Sequence, residues 1–298
     1  MPEGPEVRKY ADAVDGVLSG RTIRSLEART REARKWLATN GARLVGRRVL
    51  SVRSHGKHLV GQIDGGFYFH SHLMMWGRWL IFVPEPPADV DRRERARITV
   101  DGGAAIMYSG PIFNVGEGDP RGRIEHLQTL GPDVLPYDQD FDSAEFKRRL
   151  QLPENRDSTI GAALLDQRIV AGLGNYLRAE VLFACGLSPW TKVGALKKRE
   201  MTCLSRTVPA LGLRSYLFGA TASDSDRERM NTNPSLVYQP GREMGTRHLV
   251  FRRTNLPCLR CTNPIKQLRQ TTAIDGDEDR SRIVYFCAHC QHVSPSGS

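Results

Sequence analysis

Pro2 and Glu3 are the first residues of this sequence with chemistry to offer. Methionine before a small residue such as proline is ordinarily removed, which would leave the secondary amine of Pro2 at the head of the chain. An α-amine titrates near 7.7–8.0, so about a third of it is unprotonated at pH 7.5, against about 0.1% of an ordinary lysine. Such an amine can attack an aldehyde-like carbon and form an iminium, as Schiff-base lysines do. Glu3 beside it can give or take a proton, and Glu6 sits one helical turn further on. The same residues also open a helix well, because proline suits the first turn and carboxylates suit its positive end.

Four of the six cysteines form a second constellation. Cys258-Leu-Arg-Cys261 and Cys287-Ala-His-Cys290 are two CxxC knuckles with 25 residues between them. Two such knuckles give the closed, tetrahedral, all-thiolate site that one structural Zn2+ prefers. A module of about 45 residues buries little core, so the metal must supply folding energy. Cys185 and Cys203 lie in helical stretches and read as buried core thiols. A third feature is the turn Gly172-Leu-Gly174 just before a helix that starts at Asn175. Its backbone N–H groups and the helix dipole favour a phosphate, and Asn175 can add a side-chain donor. Leu177 stands where a dinucleotide fingerprint needs glycine, so neither a Rossmann nor a P-loop site fits. A helix pair packed through small glycines explains the same stretch.

These groups need a scaffold. The chain has 298 residues, 43 Lys+Arg against 33 Asp+Glu for a net charge of +10, and 40% hydrophobic residues. That is the composition of a soluble globular protein, long enough for two domains with real cores. No apolar run approaches the ~20 residues of a membrane span. The head lacks a basic-then-apolar signal pattern, and the cysteines are too few for a disulfide scaffold. Membrane, secreted and fibrous classes are excluded. Residues 1–140 carry a net +2 and residues 141–298 a net +8, while Arg21–Arg48 holds nine basic residues against Glu27 and Glu32. With a pI of 9.6, such clustering points to a polyanion, nucleic acid foremost. A solvated basic surface is the plainer alternative.

Residues 5–18 place Val7, Tyr10, Ala11, Val14, Val17 and Leu18 at helical spacing. Short β-like runs follow at Val49–Val60, Phe67–His72, Trp79–Val83, Ile98–Val100 and Ala105–Tyr108, which predicts a sandwich or barrel against the leading helix. Gly110–Arg123 reads as loop and Pro132–Asp142 as an interdomain linker. Helices are predicted at Phe141–Leu150, Ile160–Leu165, Asn175–Cys185 and 195–219, then a mobile loop at Arg227–Gly245 and a cysteine-bearing module from 250 to 293. His72-Leu-Met74-Met75-Trp76-Gly77 ends a β run at a glycine, as a strand-end loop does. The alternative is that strand alternation buries one or two of these side chains in the core.

Pro2-Glu3-Gly4-Pro5-Glu6, a strand-borne Gly56-Lys57, Leu165-Asp166-Gln167 with Ala171-Gly172-Leu173-Gly174-Asn175-Tyr176-Leu177-Arg178, and the terminal four-cysteine ribbon occur in this order along nearly the whole chain. Together they resemble the formamidopyrimidine-DNA glycosylase / endonuclease VIII family. The Gly-Leu-Gly-Asn-Tyr-Leu-Arg wording and Gly131-Pro132-Asp133-Val134-Leu135 sit closer to the endonuclease VIII branch, which favours oxidised pyrimidines. The resemblance implies an α+β fold. It would have an N-terminal catalytic β-sandwich with a leading α-helix over 1–131, a helix-two-turn-helix DNA-binding domain over 132–245 and a four-cysteine zinc finger over 246–298, with DNA in the cleft between them. It implies a bifunctional DNA glycosylase and lyase of apurinic or apyrimidinic (AP) sites, working in base excision repair and nicking the strand by β,δ-elimination.

By position, the resemblance makes Pro2 the nucleophile at C1′ and Glu3 the acid. Lys57, Asn175 and Arg282 become phosphate contacts, Met74, Met75 and Trp76 fill the void left by a flipped nucleotide, and Tyr176 adjoins the DNA-binding set. The expected partner is damaged DNA, with no membrane, the chain acting as a monomer in the cytoplasm or nucleoid. Several departures stand out. The gap between the CxxC pairs is long, with an acidic insert at Asp275–Asp279, so both Arg280 and Arg282 compete for the finger tip; spacing to Cys287 favours Arg282. Ile112-Phe113-Asn114-Val115 stands where many purine-specific members carry an Arg-Phe pair. The competing function is a DNA protein that binds lesions or abasic sites without cutting; the intact Pro2, Glu3 and Lys57 argue for the enzyme.

Overall fold

The computed structural model describes residues 2–84, 86, 91–239, 243–272 and 281–293. The chain divides into two compact units, residues 1–129 and 130–298.

The first unit opens with helix α1 (Gly4–Leu18), which buries Val7, Ala11, Val14, Val17 and Leu18 along one stripe. Pro5 sits in its first turn, and the Glu6 carboxylate accepts the Glu3 backbone N–H at 2.9 Å, so the helix begins where the sequence asks. Strand β1 (Ile23–Ala28) and helix α2 (Arg31–Asn40) follow. Then come β2 (Val49–His55), β3 (His58–Ile63), β4 (Phe67–His72), β5 (Arg78–Phe82), β6 (Glu94–Val100), β7 (Gly103–Tyr108) and β8 (Ile112–Glu117). The short helices α3 (Pro120–Arg123) and α4 (Glu125–Gln128) close the unit.

The strands form two antiparallel four-stranded sheets, ordered β1-β6-β7-β5 and β2-β3-β4-β8. Burial alternates strictly along β6, as a half-buried strand requires. Val52, Leu59, Phe69 and Phe113 of one sheet join Trp79, Ile98 and Met107 of the other in a single core. Helix α1 packs on β2 and β3 and also on β5 and β7, covering both sheets.

In the second unit, helices α5 (Ser143–Leu150), α6 (Ile160–Ala163), α7 (Asn175–Ala184), α8 (Lys198–Phe218) and α9 (Asp224–Thr232) precede a hairpin of β9 (Lys266–Thr271) and β10 (Ser281–Phe286). Asp142, Thr159 and Ser223 cap three of these helices through side-chain oxygens. The two units together give the mixed α+β fold expected, with β-sheets first and a helical part with a cysteine module after.

Four expectations need correction. Val49–Val60 is not one run but two strands with a turn at Gly56-Lys57. Gly110–Arg123 contains β8, whose Phe113 is fully buried against Phe69, a pairing that sequence-local turn signals do not reveal. The supposed linker Pro132–Asp142 is packed: Val134 is buried and its N–H donates to the Ala171 carbonyl at 2.9 Å. The supposed mobile loop Arg227–Gly245 begins inside α9, which runs to Thr232 and is held by the fully buried Met230. In addition, Cys185 and Cys203 are not thiols but a disulfide. Packing of α7 against α8 brings their Cα atoms to 5.8 Å, within bridging range.

The bridge closes a short loop, so Cys203→Ser should lower the unfolding free energy by about 3 kcal/mol by the chain-entropy argument. Urea denaturation of the unreduced protein checks this; an unchanged midpoint would mean that the bond contributes nothing.

Candidate nucleic-acid interface and metal centre

The head of α1 fixes the first candidate pair. Pro2 is half-buried, and Glu3, the residue before the first helical turn, is 2% exposed. The helix they lead lies against the β2–β3 hairpin. Register pairs His55 with His58, so Gly56 and Lys57 are the whole turn of that hairpin rather than strand residues. Gly56 adopts φ +57°, which the first position of a type II′ turn reserves for glycine.

His58 pairs on its other side with His72, and His72 pairs with Ile112. The turn of Lys57, the loop after β4 and the start of β8 therefore share one end of the sheet. In that loop Leu73 is 1% exposed, while Met74, Met75 and Trp76 are 44%, 59% and 79% exposed. These three do not pack in the core. Met74 takes φ +52°, at a cost of roughly 1–2 kcal/mol for a non-glycine residue. Two bonds hold it there: the Met74 N–H donates to His72 Nδ1 at 3.2 Å, and the Gly77 N–H donates to the Leu73 carbonyl at 2.9 Å. Exposed thioethers and an indole on a pinned backbone suit insertion between stacked bases.

Beneath this loop lies a chain of neutral imidazoles. The Asn114 amide donates to His70 Nδ1 at 3.4 Å, so His70 carries its proton on Nε2 and gives it to His58 Nδ1 at 3.0 Å. The His58 ring also meets His72 edge-on, with centroids 4.8 Å apart. Burial pushes His70 down to about 4, helped by His72 and His126. Burial, with Lys57 and His126, pushes His72 to about 4 as well. His58 is held well below the usual imidazole range by burial, then by His72, His70, His126 and His55.

The second unit carries the glycine turn. Gly172 adopts φ +102°, and the Gln167 side chain clamps it: its Oε1 accepts the Gly172 N–H at 3.0 Å while its Nε2 donates to the Leu165 and Leu173 carbonyls. Asn175 then stands half-buried as the first residue of α7. Tyr176 follows it, buried. It is 7% exposed, its hydroxyl lies 2.9 Å from Ser215 Oγ and its ring lies tilted against that of His248 with centroids 5.0 Å apart, so packing in the second unit fixes its place beside Asn175. Arg282 is exposed on β10, opposite Gln270 of β9. Arg280 lies outside the described residues, as does the acidic insert Asp275–Asp279.

Cys258, Cys261, Cys287 and Cys290 bring their Sγ atoms within 4.8 Å of one another. Cys258 and Cys290 are 3.9 Å apart and Cys261 and Cys287 3.4 Å, close to the ~3.8 Å edge of a tetrahedron with metal–sulfur bonds of about 2.3 Å. Backbone N–H groups of Arg260 and Cys290 donate to Cys258 and Cys287 sulfur. Burial and the neighbouring Cys261 and Cys258 push the Cys287 thiol up to about 11; a bound cation reverses that preference. The four thiols can bind a metal ion.

Family models for the formamidopyrimidine-DNA glycosylase N-terminal domain and for the formamidopyrimidine-DNA glycosylase H2TH domain match residues 1–111 and 130–221. The chain is 31% identical over 295 residues to probable endonuclease 8 2 of Streptomyces coelicolor, covering 98% of this chain and 94% of that protein. The chain belongs to the formamidopyrimidine-DNA glycosylase / endonuclease VIII family. It is also 29% identical to endonuclease 8 of Klebsiella pneumoniae over 293 residues, 98% of this chain and all of that one. The fold is similar to that of a Lactococcus lactis formamidopyrimidine-DNA glycosylase solved with DNA containing N7-benzyl-Fapy-dG, with a TM-score of 0.74 at 23% identity over 97% of this chain and 99% of that one. The two family members named as endonucleases 8 agree with the branch expected from Gly131–Leu135.

Within this family fold, Lys57 and Met74–Trp76 share a sheet end and the four cysteines cluster. Three contributors escaped the sequence reading. His72 is one, since nothing in its spacing announced that it would hold the Met74 amide. Arg178 and Glu180 are the others, both fully buried; two charges inside the apolar helix Tyr176–Phe183 were the available signal.

The histidines set a pH dependence. Their folded values lie below 6.5, so as pH falls from 6.5 toward 4 the unfolded chain takes up protons that the folded chain refuses, and stability drops. The slope should approach about 1.4 kcal/mol per pH unit for each histidine. Urea melts at pH 7.5 and 5 should show it, and His70→Asn should flatten it; equal slopes in both proteins would remove the cluster from the account.

Proposed function

We propose that this protein is a bifunctional DNA glycosylase and AP lyase of base excision repair that removes oxidised bases, pyrimidines foremost, from damaged DNA. Family membership supports the activity. The exposed Met74-Met75-Trp76 tip, pinned at the same sheet end as Lys57 in the unit led by Pro2 and Glu3, is the observation that carries the site reading. A protein that only bound lesions would not need a free amine at residue 2.

With Met1 removed, the Pro2 nitrogen attacks C1′ of the damaged nucleotide and the base departs with a proton. Glu3 supplies acid to the leaving base or to the opening sugar. The resulting iminium acidifies the C2′ hydrogens; loss of one breaks the C3′–O bond, and a second elimination breaks the C5′–O bond. Lys57, Asn175 and Arg282 hold phosphates, which orients the flipped nucleotide, and Met74, Met75 and Trp76 occupy the vacated stack. Functionally, residues 1–131 are the catalytic domain, 132–245 the DNA-binding domain and 246–298 a finger. Cys258, Cys261, Cys287 and Cys290 fit one zinc ion, which when bound supplies the fixed positive charge that keeps four thiolates together.

Borohydride should trap a covalent adduct between this protein and DNA bearing an abasic site, attached at residue 2. One extra residue before Pro2 should abolish trapping, because the nitrogen becomes an amide. Persistent trapping in that extended protein would sink the assignment. Glu3→Gln should impair base excision more than cleavage of a ready-made abasic site.

Met75→Ala should cost under about 0.5 kcal/mol of stability, since the side chain is already exposed, yet slow excision from duplex far more than from single-stranded DNA. Leu73→Ala, one position from the tip, should instead cost about 2–5 kcal/mol. A duplex-to-single-strand rate ratio unmoved by Met75→Ala would end the wedge role.

Lys57→Ala and Arg282→Ala should each flatten the log–log salt dependence of duplex binding by roughly 0.9, with little sequence preference in the loss. Stripping zinc should abolish the contribution of Arg282 while leaving the first unit folded. Salt slopes identical to wild type in both variants would place the DNA-contacting surface elsewhere.

A further inference from the structure

We infer that Arg178 is a positioning residue that couples Asn175 to Arg282, so that the phosphate contacts of the second unit form and fail together. The inference rests on reading Asn175 and Arg282 as phosphate contacts.

Arg178 is fully buried on α7, one turn beyond Asn175. Its Nη2 donates to Asn175 Oδ1 at 2.6 Å and to the Ile283 carbonyl at 2.8 Å. Its Nη1 donates to the Gly161 carbonyl at 3.2 Å and to Gln270 Oε1 at 3.3 Å. Ile283 follows Arg282 on β10, and Gln270 is the residue directly opposite Arg282 on β9. One guanidinium thus grips the hairpin on both strands at the position of Arg282, and the same group holds the Asn175 side chain. Gln270 extends the grip, its Nε2 donating to the Pro189 carbonyl at 2.9 Å and to Thr159 Oγ1 at 3.0 Å.

The bond to Asn175 also divides the labour of its amide. Oδ1 is engaged by Arg178, which fixes the plane of the group and leaves Nδ2 as the end that offers hydrogens. A phosphate oxygen accepts hydrogens and gives none, so this is the orientation that phosphate requires. A planar, always-charged fork suits the task because it spans two acceptors with little rotamer freedom left to lose. A lysine, with one compact ammonium, cannot span both.

The test uses the full-length, zinc-loaded protein and a duplex carrying a tetrahydrofuran abasic analogue. Asn175→Ala and Arg282→Ala are each expected to weaken binding about 10-fold, the lower range for a charge-assisted hydrogen bond. Coupling predicts that the double variant loses about 10–20-fold, not the 100-fold of independent contacts. In Arg178→Met, already about 10-fold weaker, Asn175→Ala should add less than two-fold. Arg178→Lys should recover thermal stability without recovering affinity, while zinc content stays at one per chain.

Asn175→Asp guards against variants of Arg178 that fail to fold. Its carboxylate still accepts from Arg178 but has no hydrogen for a phosphate, so it should melt no lower than wild type and bind at least as weakly as Asn175→Ala. Full additivity of the double variant would overturn the coupling, and wild-type affinity in Asn175→Asp would overturn the reading of Asn175 Nδ2 as a phosphate donor. Unchanged affinity in both Asn175→Ala and Arg282→Ala would instead overturn the phosphate-contact reading, and the coupling with it.

Discussion

A charge buried inside a protein must be satisfied on the spot, and the second unit is organised around two of them on one helix. Glu180 is fully buried, and its carboxylate accepts the Leu249 N–H, the Val250 N–H, the Phe251 N–H and the Thr221 hydroxyl, all at 2.8–2.9 Å. Leaving such a carboxylate unpaired would cost several kcal/mol, so the segment leading to the cysteine knuckles has one place to go. Arg178 imposes the same demand two residues earlier, on the hairpin. Helix α7 is in this sense a two-sided anchor: one face of charge orders the approach to the finger and the other its strands. The glycine turn before it then needs only to present Asn175.

The first unit solves a different problem with neutral groups. The sheet end that carries Lys57 and Met74–Trp76 is built on a register in which His58, His72 and Ile112 align in neighbouring strands. The imidazoles there stay uncharged because burial and each other's proximity forbid more than the occasional proton. Lys57 is a cation beside His72 at the hairpin turn, and the neutral ring leaves His72 Nδ1 able to accept from the Met74 amide.

Much of this was legible in the sequence, and for identifiable reasons. The CxxC spacing encodes a metal geometry directly, and the head of α1 is written in its own proline, glutamate and apolar stripe. Met74, Met75 and Trp76 could be placed in a loop because Gly77 ends the run, although only the structure decides that all three side chains face solvent. What escaped depends on partners distant in sequence. Strand β8 looks like loop until Phe113 meets Phe69, and Cys185 and Cys203 look like separate thiols until α8 lies on α7. Arg178 belongs to the same class, since its acceptors come from residues 161, 175, 270 and 283.

The loop from Leu73 to Gly77 separates what holds a backbone from what the backbone displays. Its shape is fixed by a buried leucine, an amide bond to His72 and the closing Gly77 N–H, none of which involves the side chains at its tip. The three displayed positions are therefore open to inheritance by different chemistries. A lineage can exchange thioether for amide or indole for phenol there without refolding anything, and so change what the tip presents to its surroundings while its fold stays the same.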